Sequence, residues 1–181
     1  VKTKDGKEGD VKVTYDGTVS MKIATYTPKV LSSEWYARLS NEAAFNENPN
    51  AEMPYSDEEI EMFRNGSNPD MYPNTNWYDE ILHTALTHNH SLDISGGTEK
   101  ATYSVGTSYL YQDGILDSKN DYSRFNLRTK ADYKAFDWLK VGANVVLSNS
   151  TQNLPNGEVW LAAFRTPGII PVYDENSSLN P

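Results

Sequence analysis

The chain has 181 residues, with 16 Lys+Arg against 25 Asp+Glu, a formal net charge of −9 and no cysteine. That length supports an ordinary core. The acidic balance argues against nucleic acid as a partner, because phosphate binding needs clustered cations. The missing cysteines exclude a disulfide framework, thiolate catalysis and Cys-ligated zinc.

In chain order, Val1–Asp10 is short and charged, and Gly6 and Gly9 mark a turn. Val11–Ile23 then alternates. Val11, Val13, Tyr15, Val19, Met21 and Ile23 fall on one face and Lys12, Thr14, Asp16, Thr18, Ser20 and Lys22 on the other, which predicts a half-apolar strand. Residues 24–89 change character. Leu31–Phe45 carries Leu31, Trp35, Leu39 and Ala43 at helical steps. Ser56-Asp57-Glu58-Glu59 is a capping box that opens a short helix, and Asn65-Gly66 is a favourable stop. Pro69 and Pro73 prevent regular structure over 67–76, and Trp77–Thr87 is a third helix candidate with Trp77, Ile81 and Ala85 in line.

From Asn89 the period returns to two. Leu92 and Ile94 alternate with Ser91, Asp93 and Ser95, and Gly96-Gly97-Thr98-Glu99 is a tight turn. Ala101–Tyr111 alternates next, followed by a polar loop over Gln112–Asp121. Phe125, Leu127, Thr129, Ala131 and Tyr133 then oppose Arg124, Asn126, Arg128, Lys130 and Asp132. A short turn at Lys134–Trp138 leads to Leu139–Leu147, with Val141, Ala143 and Val145 facing away from Lys140, Gly142 and Asn144. After Asn149 the prolines at 155, 167, 171 and 181 predict loop.

Alternation of this kind fits a soluble sheet or a membrane barrel, and three features favour the barrel. The strands are long, about 10–13 residues by pattern, where soluble strands average ~5–6 and tilted membrane strands need ~9–11. Short turns alternate with long loops, so that all the long loops gather at one end. Tyr103, Tyr109, Tyr111, Tyr122, Phe125, Tyr133, Phe136 and Trp138 cluster toward strand ends, where rings suit a membrane interface. No apolar run reaches the ~20 residues of a membrane helix, which says nothing against strands. The fold class expected is therefore all-β: the N-terminal strands of an antiparallel transmembrane β-barrel, with a long helix-containing outer loop. The other reading is a soluble antiparallel domain whose aromatics are core.

The residues also carry a resemblance. The run Tyr72-Pro73-Asn74-Thr75-Asn76-Trp77-Tyr78-Asp79-Glu80 is similar to the YPNTDWYDE segment of SusC/RagA TonB-dependent transporters. Asn89-His90-Ser91-Leu92-Asp93-Ile94-Ser95-Gly96-Gly97-Thr98-Glu99-Lys100-Ala101 resembles their HNLSISGGTEKA segment, and Tyr109–Leu116 their YLDQEGIL hairpin. Thr3-Lys4-Asp5-Gly6-Lys7 resembles the end of their plug. The motifs keep their order over nearly the whole chain. The resemblance implies plug residues over 1–10, barrel over 11–181 and an outer loop over 24–89. It also implies import of oligosaccharides or peptides across the outer membrane of a Gram-negative bacterium, no enzymatic activity and no cofactor. The partners implied are outer-membrane lipid, a SusD-like surface lipoprotein as lid, and TonB acting through a plug that this sequence largely lacks. Such barrels have about 22 strands, so five strands are expected to be a portion of one. No signal peptide opens the sequence, and an exported protein is expected to begin earlier. A soluble β-rich domain that binds carbohydrate or protein is the alternative function.

Several residues are candidates for chemistry. His88 and His90 share a strand face in the spacing of a zinc or copper pair, but Asp93 lies on the other face and no third ligand is evident. The Asp57-Glu58-Glu59-Glu61 run lacks the ligand spacing of a calcium loop and suits the positive end of a helix. Asp113, Asp117 and Asp121 share a loop, yet nothing there raises a carboxyl pKa as glycoside hydrolysis would need. Tyr72, Asn74, Asn76, Trp77 and Tyr78 are the best ligand candidates, because flat rings cover sugar faces and amides serve hydroxyls. The same residues would equally anchor a helix and form its cap. Arg124, Arg128 and Lys130 share one strand face, which in a barrel is the lumen.

Overall fold

The computed structural model describes Gly6 and residues 8–173. The Thr3–Lys7 stretch lies largely outside them, as does Pro181. Five strands form one antiparallel sheet in chain order: β1 (Gly9–Lys22), β2 (Ala85–Gly97), β3 (Ala101–Asp113), β4 (Asp121–Phe136) and β5 (Leu139–Gln152). The chain divides into two compact units, the sheet and a second unit made of Thr25–Leu82 and the stretch from Asn156 onward.

The alternation read from the sequence sets the register. Val13 pairs Ile94, Ile94 pairs Val105, Val105 pairs Thr129 and Thr129 pairs Val145. One row further on, Tyr15, Leu92, Thr107, Leu127 and Leu147 line up. Two aliphatic rows therefore cross the whole sheet on one face. Asp93, Gly106, Arg128 and Val146 form a row of the opposite face. Register shifts occur only near Gly9 and near Lys134 among the described strands. Gly9 takes a φ of 133°, a value open to glycine and costly for other residues.

The strands run longer than the sequence pattern suggested. β2 begins at Ala85, inside the stretch expected to be a third helix, and that helix, α3, covers only Trp77–Ile81. The cause is local pairing: the His83 amide donates to the Ile115 carbonyl at 2.9 Å and Thr87 already opposes Gln112. β3 continues to Asp113, and β5 passes Asn149 to reach Gln152 as the partner of Tyr122.

The second unit is built around Ala37, Ile60 and Phe63, with Tyr55, Tyr72 and Ile169 against them. Phe63 meets Tyr72 edge-on at 5.3 Å and Tyr55 at 6.1 Å. Helix α1 (Ser33–Glu47) turns a different face inward from the one its apolar stripe predicted. Ser33 and Ala37 are buried, while Leu31, Trp35 and Leu39 are 55%, 56% and 44% exposed. Two polar clamps explain this. Asn41 both donates to the Tyr55 carbonyl (2.6 Å) and accepts from the Tyr55 amide (2.9 Å), and the Ser33 amide donates to Asn74 Oδ1 (2.9 Å). These bonds fix the small-residue face of α1 toward α2 (Asp57–Asn65). A fourth helix, α4 (Val159–Arg165), stands where prolines had suggested only loop. Pro155 and Pro167 flank it without entering it, and Val-Trp-Leu-Ala-Ala-Phe-Arg contains no helix breaker.

The capping box forms as read. The Glu59 amide donates to Ser56 Oγ at 3.2 Å, the Ser56 amide donates to Glu59 Oε2 at 2.9 Å, and Gly66 closes the helix with φ 64°. The Ser56 backbone amide, and after it the Ser56 hydroxyl, hold the Glu59 carboxyl below its ordinary pKa. A depressed carboxyl contributes its stabilisation above the unfolded pKa and loses it as pH falls through the lower, folded value. We expect Ser56→Ala to cost α2 about 1 kcal/mol, read as roughly fivefold faster amide exchange over 59–63. The same amides in the unsubstituted chain should lose protection on acidification below the ordinary carboxylate range, and unchanged protection in both experiments would count against the box.

Candidate functional site

The segment from Tyr72 to Tyr78 belongs to the second unit, and nearly every polar atom in it has an internal task. Tyr72 donates its amide to the Asn68 carbonyl (2.7 Å) and packs on Phe63. Asn74 Oδ1 accepts the buried Ser33 amide. Thr75 donates its amide to the Gly168 carbonyl and its hydroxyl to the Ile170 carbonyl, both at 2.9 Å. Asn76 caps α3: its Oδ1 accepts the Tyr78 amide (3.3 Å) and its Nδ2 donates to Asp79 (2.6 Å). Trp77 Nε1 donates to the Pro167 carbonyl at 3.3 Å, and Tyr78, 3% exposed, lies 6.1 Å from the Trp160 ring. The motif ties the 72–78 stretch to the 160–170 stretch. Gly168 is required at that junction, because a Cβ there would come within 2.8 Å of the Thr75 carbonyl oxygen. The five sequence candidates are thus brought together, and Asn74 and Asn76 border an open groove of about 330 Å³ shared with Thr27–Ser32.

On the sheet, His88 and His90 are 5.2 Å apart between ring centroids and share the face of Tyr15, Tyr109 and Tyr111. The Tyr15 hydroxyl and His90 Nδ1 share a hydrogen bond at 2.7 Å, and His88 stacks on Tyr111 at 5.4 Å. Among the described residues no group of three or more His, Asp or Glu is placed to hold a metal ion. Asp113 and Asp121 face each other directly across β3 and β4. Asp113 Oδ2 lies 3.2 Å from His83 Nε2, and Asp121 Oδ1 accepts from Asn153 at 3.0 Å. That arrangement closes the hairpin loop. The His83–Asp113 pairing could not be read from the sequence, since it depends on β2 starting early.

The opposite face of the sheet is polar and concave. A groove of about 380 Å³ is lined by Ser91, Asp93, Ser104, Ser108, Arg124 and Arg128 among others. Ser148 Oγ donates to Asn126 Oδ1 (2.8 Å) and Asn126 Nδ2 donates to Ser108 Oγ (3.1 Å), a polar row across three strands. The face that the sequence assigned to Arg124, Arg128 and Lys130 is this one.

Known proteins share this arrangement. Over 163 residues, 89% of the chain, the sequence is 30% identical to the TonB-dependent receptor P26 of Formosa agariphila. Over 151 residues, 82% of the chain, it is 28% identical to the TonB-dependent receptor SusC of Bacteroides thetaiotaomicron. The chain spans only 15% and 13% of the length of these two receptors. Solved structures of the RagAB peptide importer superpose with TM-scores of 0.73 in the open-open state and 0.69 in the closed-closed state. They do so at 19% identity, over 98% of this chain and 22% and 23% of theirs, a likeness of fold. No protein-family profile matches the chain. The five-stranded meander and its sequence relatives define a portion of a TonB-dependent receptor. Within that class the chain is of the SusC/RagA kind.

Because Asn74 supplies the one acceptor for a buried amide at the start of α1, Asn74→Ala should destabilise the second unit by about 1–3 kcal/mol. Limited proteolysis at 25–32 should become faster. Asn74→Asp, which keeps the acceptor, should restore the resistance.

Proposed function

We propose that the chain forms part of the barrel wall and one long outer loop of a nutrient importer in the outer membrane of a Gram-negative bacterium. The observation that carries this is the sheet's apolar face. Val13, Tyr15, Val19, Phe125, Val145 and Leu147 are each 45–65% exposed, although they stand in continuous rows across all five strands. A water-soluble domain rarely leaves contiguous apolar patches beyond a few hundred Å² uncovered. Lipid is the solvent that suits such a face.

The layout of the face agrees with that solvent. The aliphatic rows lie between aromatic rows: Tyr109 pairs Phe125 on one side, while Tyr103 and Tyr133 stand on the other. Phe125 and Tyr133 are separated by about 26 Å along β4 at ~3.3 Å per residue, which at a strand tilt of ~40° is about 20 Å of height and fits inside the ~25 Å band of a bacterial barrel. Strands of 13 to 16 residues exceed the ~9–11 needed to cross. β1 and β5 are each paired on one side only among the described residues, and open edges in lipid cost several kcal/mol per unsatisfied group. Further strands of a larger barrel would pair them.

On this reading the polar face lines the lumen, and residues 23–84, shorter than the 24–89 loop expected because β2 starts at Ala85, form an outer loop together with the stretch after β5. Residues 1–10 are the end of the plug and 11–181 belong to the barrel. The substrate is an oligosaccharide or a peptide, captured beneath a SusD-like lipoprotein lid and released inward by TonB acting on the plug. No covalent chemistry is involved. Asn74 and Asn76 are the members of the 72–78 motif open to a ligand, and Tyr72, Trp77 and Tyr78 serve as anchors.

Neighbours on β5 give the test, because Val145 belongs to the apolar face and Asn144 to the polar one. In the full-length receptor, Val145→Arg should cost about 2–4 kcal/mol and deplete the heat-modifiable barrel from outer-membrane fractions. Asn144→Arg should leave assembly intact. A soluble domain would tolerate both, since Val145 is exposed, and that result would favour a free-standing binding module.

A further inference from the structure

Two long cations on the polar face take part in no salt bridge among the described residues. Arg124 and Arg128 are both exposed, lie four positions apart on β4 and border the 380 Å³ groove. Salt bridges of the sheet among the described residues include Lys134 with Asp137, Lys140 with Asp132, and His83 with Asp113. Around the two arginines the side chains are small. Arg128 faces Gly106 on β3, and Ser91, Ser104 and Ser108 complete the neighbouring floor. A Cβ on Gly106 would approach Asp93 Oδ1 to 2.9 Å, so the Asp93 carboxylate reaches over Gly106 toward the Arg128 row. Arg124 lies opposite Leu110 and Arg128 opposite Val146, apolar positions suited to the arginine stems. The result is a trough with hydroxyls and the single carboxylate of Asp93 on its floor, and with Arg124, Arg128 and Lys130 along one side, a net excess of positive charge.

The position of the trough bears on what could use it. Arg124 is three residues from the loop end of β4 and Arg128 lies deeper. A molecule entering from the long-loop end would meet the cations in sequence. Their spacing along the strand is about 13 Å at ~3.3 Å per residue, too far for one small anion to bridge. An elongated molecule carrying at least two carboxylates would satisfy both, and guanidinium groups recognise carboxylates in bidentate fashion. An extended peptide with acidic residues four apart repeats the strand's own rise. We propose that this trough is an anion-selective subsite for elongated substrates bearing repeated carboxylates. The inference rests on the barrel reading above and narrows its substrate class to acidic oligomers.

The test uses the full-length receptor in detergent, with heat-modifiable gel mobility as the control for barrel assembly. Fluorescence anisotropy would compare a labelled extended peptide carrying glutamates four apart with its glutamine counterpart. A labelled oligogalacturonate and a neutral oligoglucan of equal length form the second pair, which separates acidic peptide from acidic glycan. At least one acidic probe should bind more tightly than its neutral counterpart. Arg124→Gln and Arg128→Gln should each weaken that probe about fivefold and leave the neutral one unchanged, whereas Lys12→Gln, on β1 of the same face, should have little effect. Equal binding of acidic and neutral probes with the barrel assembled would overturn the subsite alone. So would variants that leave affinity unchanged but expose new protease sites in the plug, because the arginines would then serve internal packing. Failure of the unsubstituted receptor to assemble as a barrel would overturn both readings.

Discussion

The cross-strand register is the constraint on which the rest of this structure depends. Side chains alternate with a period of two, so a slip of one residue in the β3–β4 ladder would move Arg124, Arg128 and Asn126 to the apolar face and Phe125, Leu127 and Thr129 to the polar one. Four ladders hold the same phase from β1 to β5, and the two irregularities fall near Gly9 and Lys134, away from the middle rows. The sorted faces follow from that phase alone. Aliphatic rows bounded by aromatics and a trough of serines and arginines are two products of one alignment.

The sheet was legible because alternation is a local property, visible in each strand without knowledge of its neighbours. What escaped was set by partners distant in sequence. Trp77–Thr87 has helical spacing, yet Ala85, Leu86 and Thr87 pair with Lys22, Met21 and Ser20 of β1 and Thr87 also opposes Gln112 of β3, and ladder bonds outweigh a weak local preference. The α1 stripe is a true amphipathic pattern, but Asn41 and Ser33 are bound to Tyr55 and Asn74 and turn that stripe outward. Helix α4 is masked in the sequence by the prolines that flank its seven residues. The Ser56 box, by contrast, is complete within four residues and was read correctly.

The candidate site divides in the same way. Residue chemistry drew attention to Tyr72, Asn74, Asn76, Trp77 and Tyr78, and the structure gathers them, but most of their polar atoms are committed to Ser33, Pro167 and the cap of α3. Rings and amides in one short motif look alike whether they bind a ligand or a neighbouring loop. Only the hydrogen-bond partners distinguish the two uses. The polar face carried a weaker sequence signal, cations at alternate positions of one strand, and became a trough once Gly106 and the serines of β2 and β3 were set beside them.

The chain order of the sheet also bears on how it forms. β2 to β5 follow one another through brief connections, so each hairpin closes over a few residues and gains its ladder at small entropic cost. β1 is different: its partner arrives only after residues 23–84 have been made, and loop closure grows dearer by about 0.6 kcal/mol for each doubling of length. Much of that stretch is not slack chain, because Ala37, Ile60 and Phe63 give it a core and helices of its own. That internal core shortens the effective tether over which the β1–β2 ladder has to close.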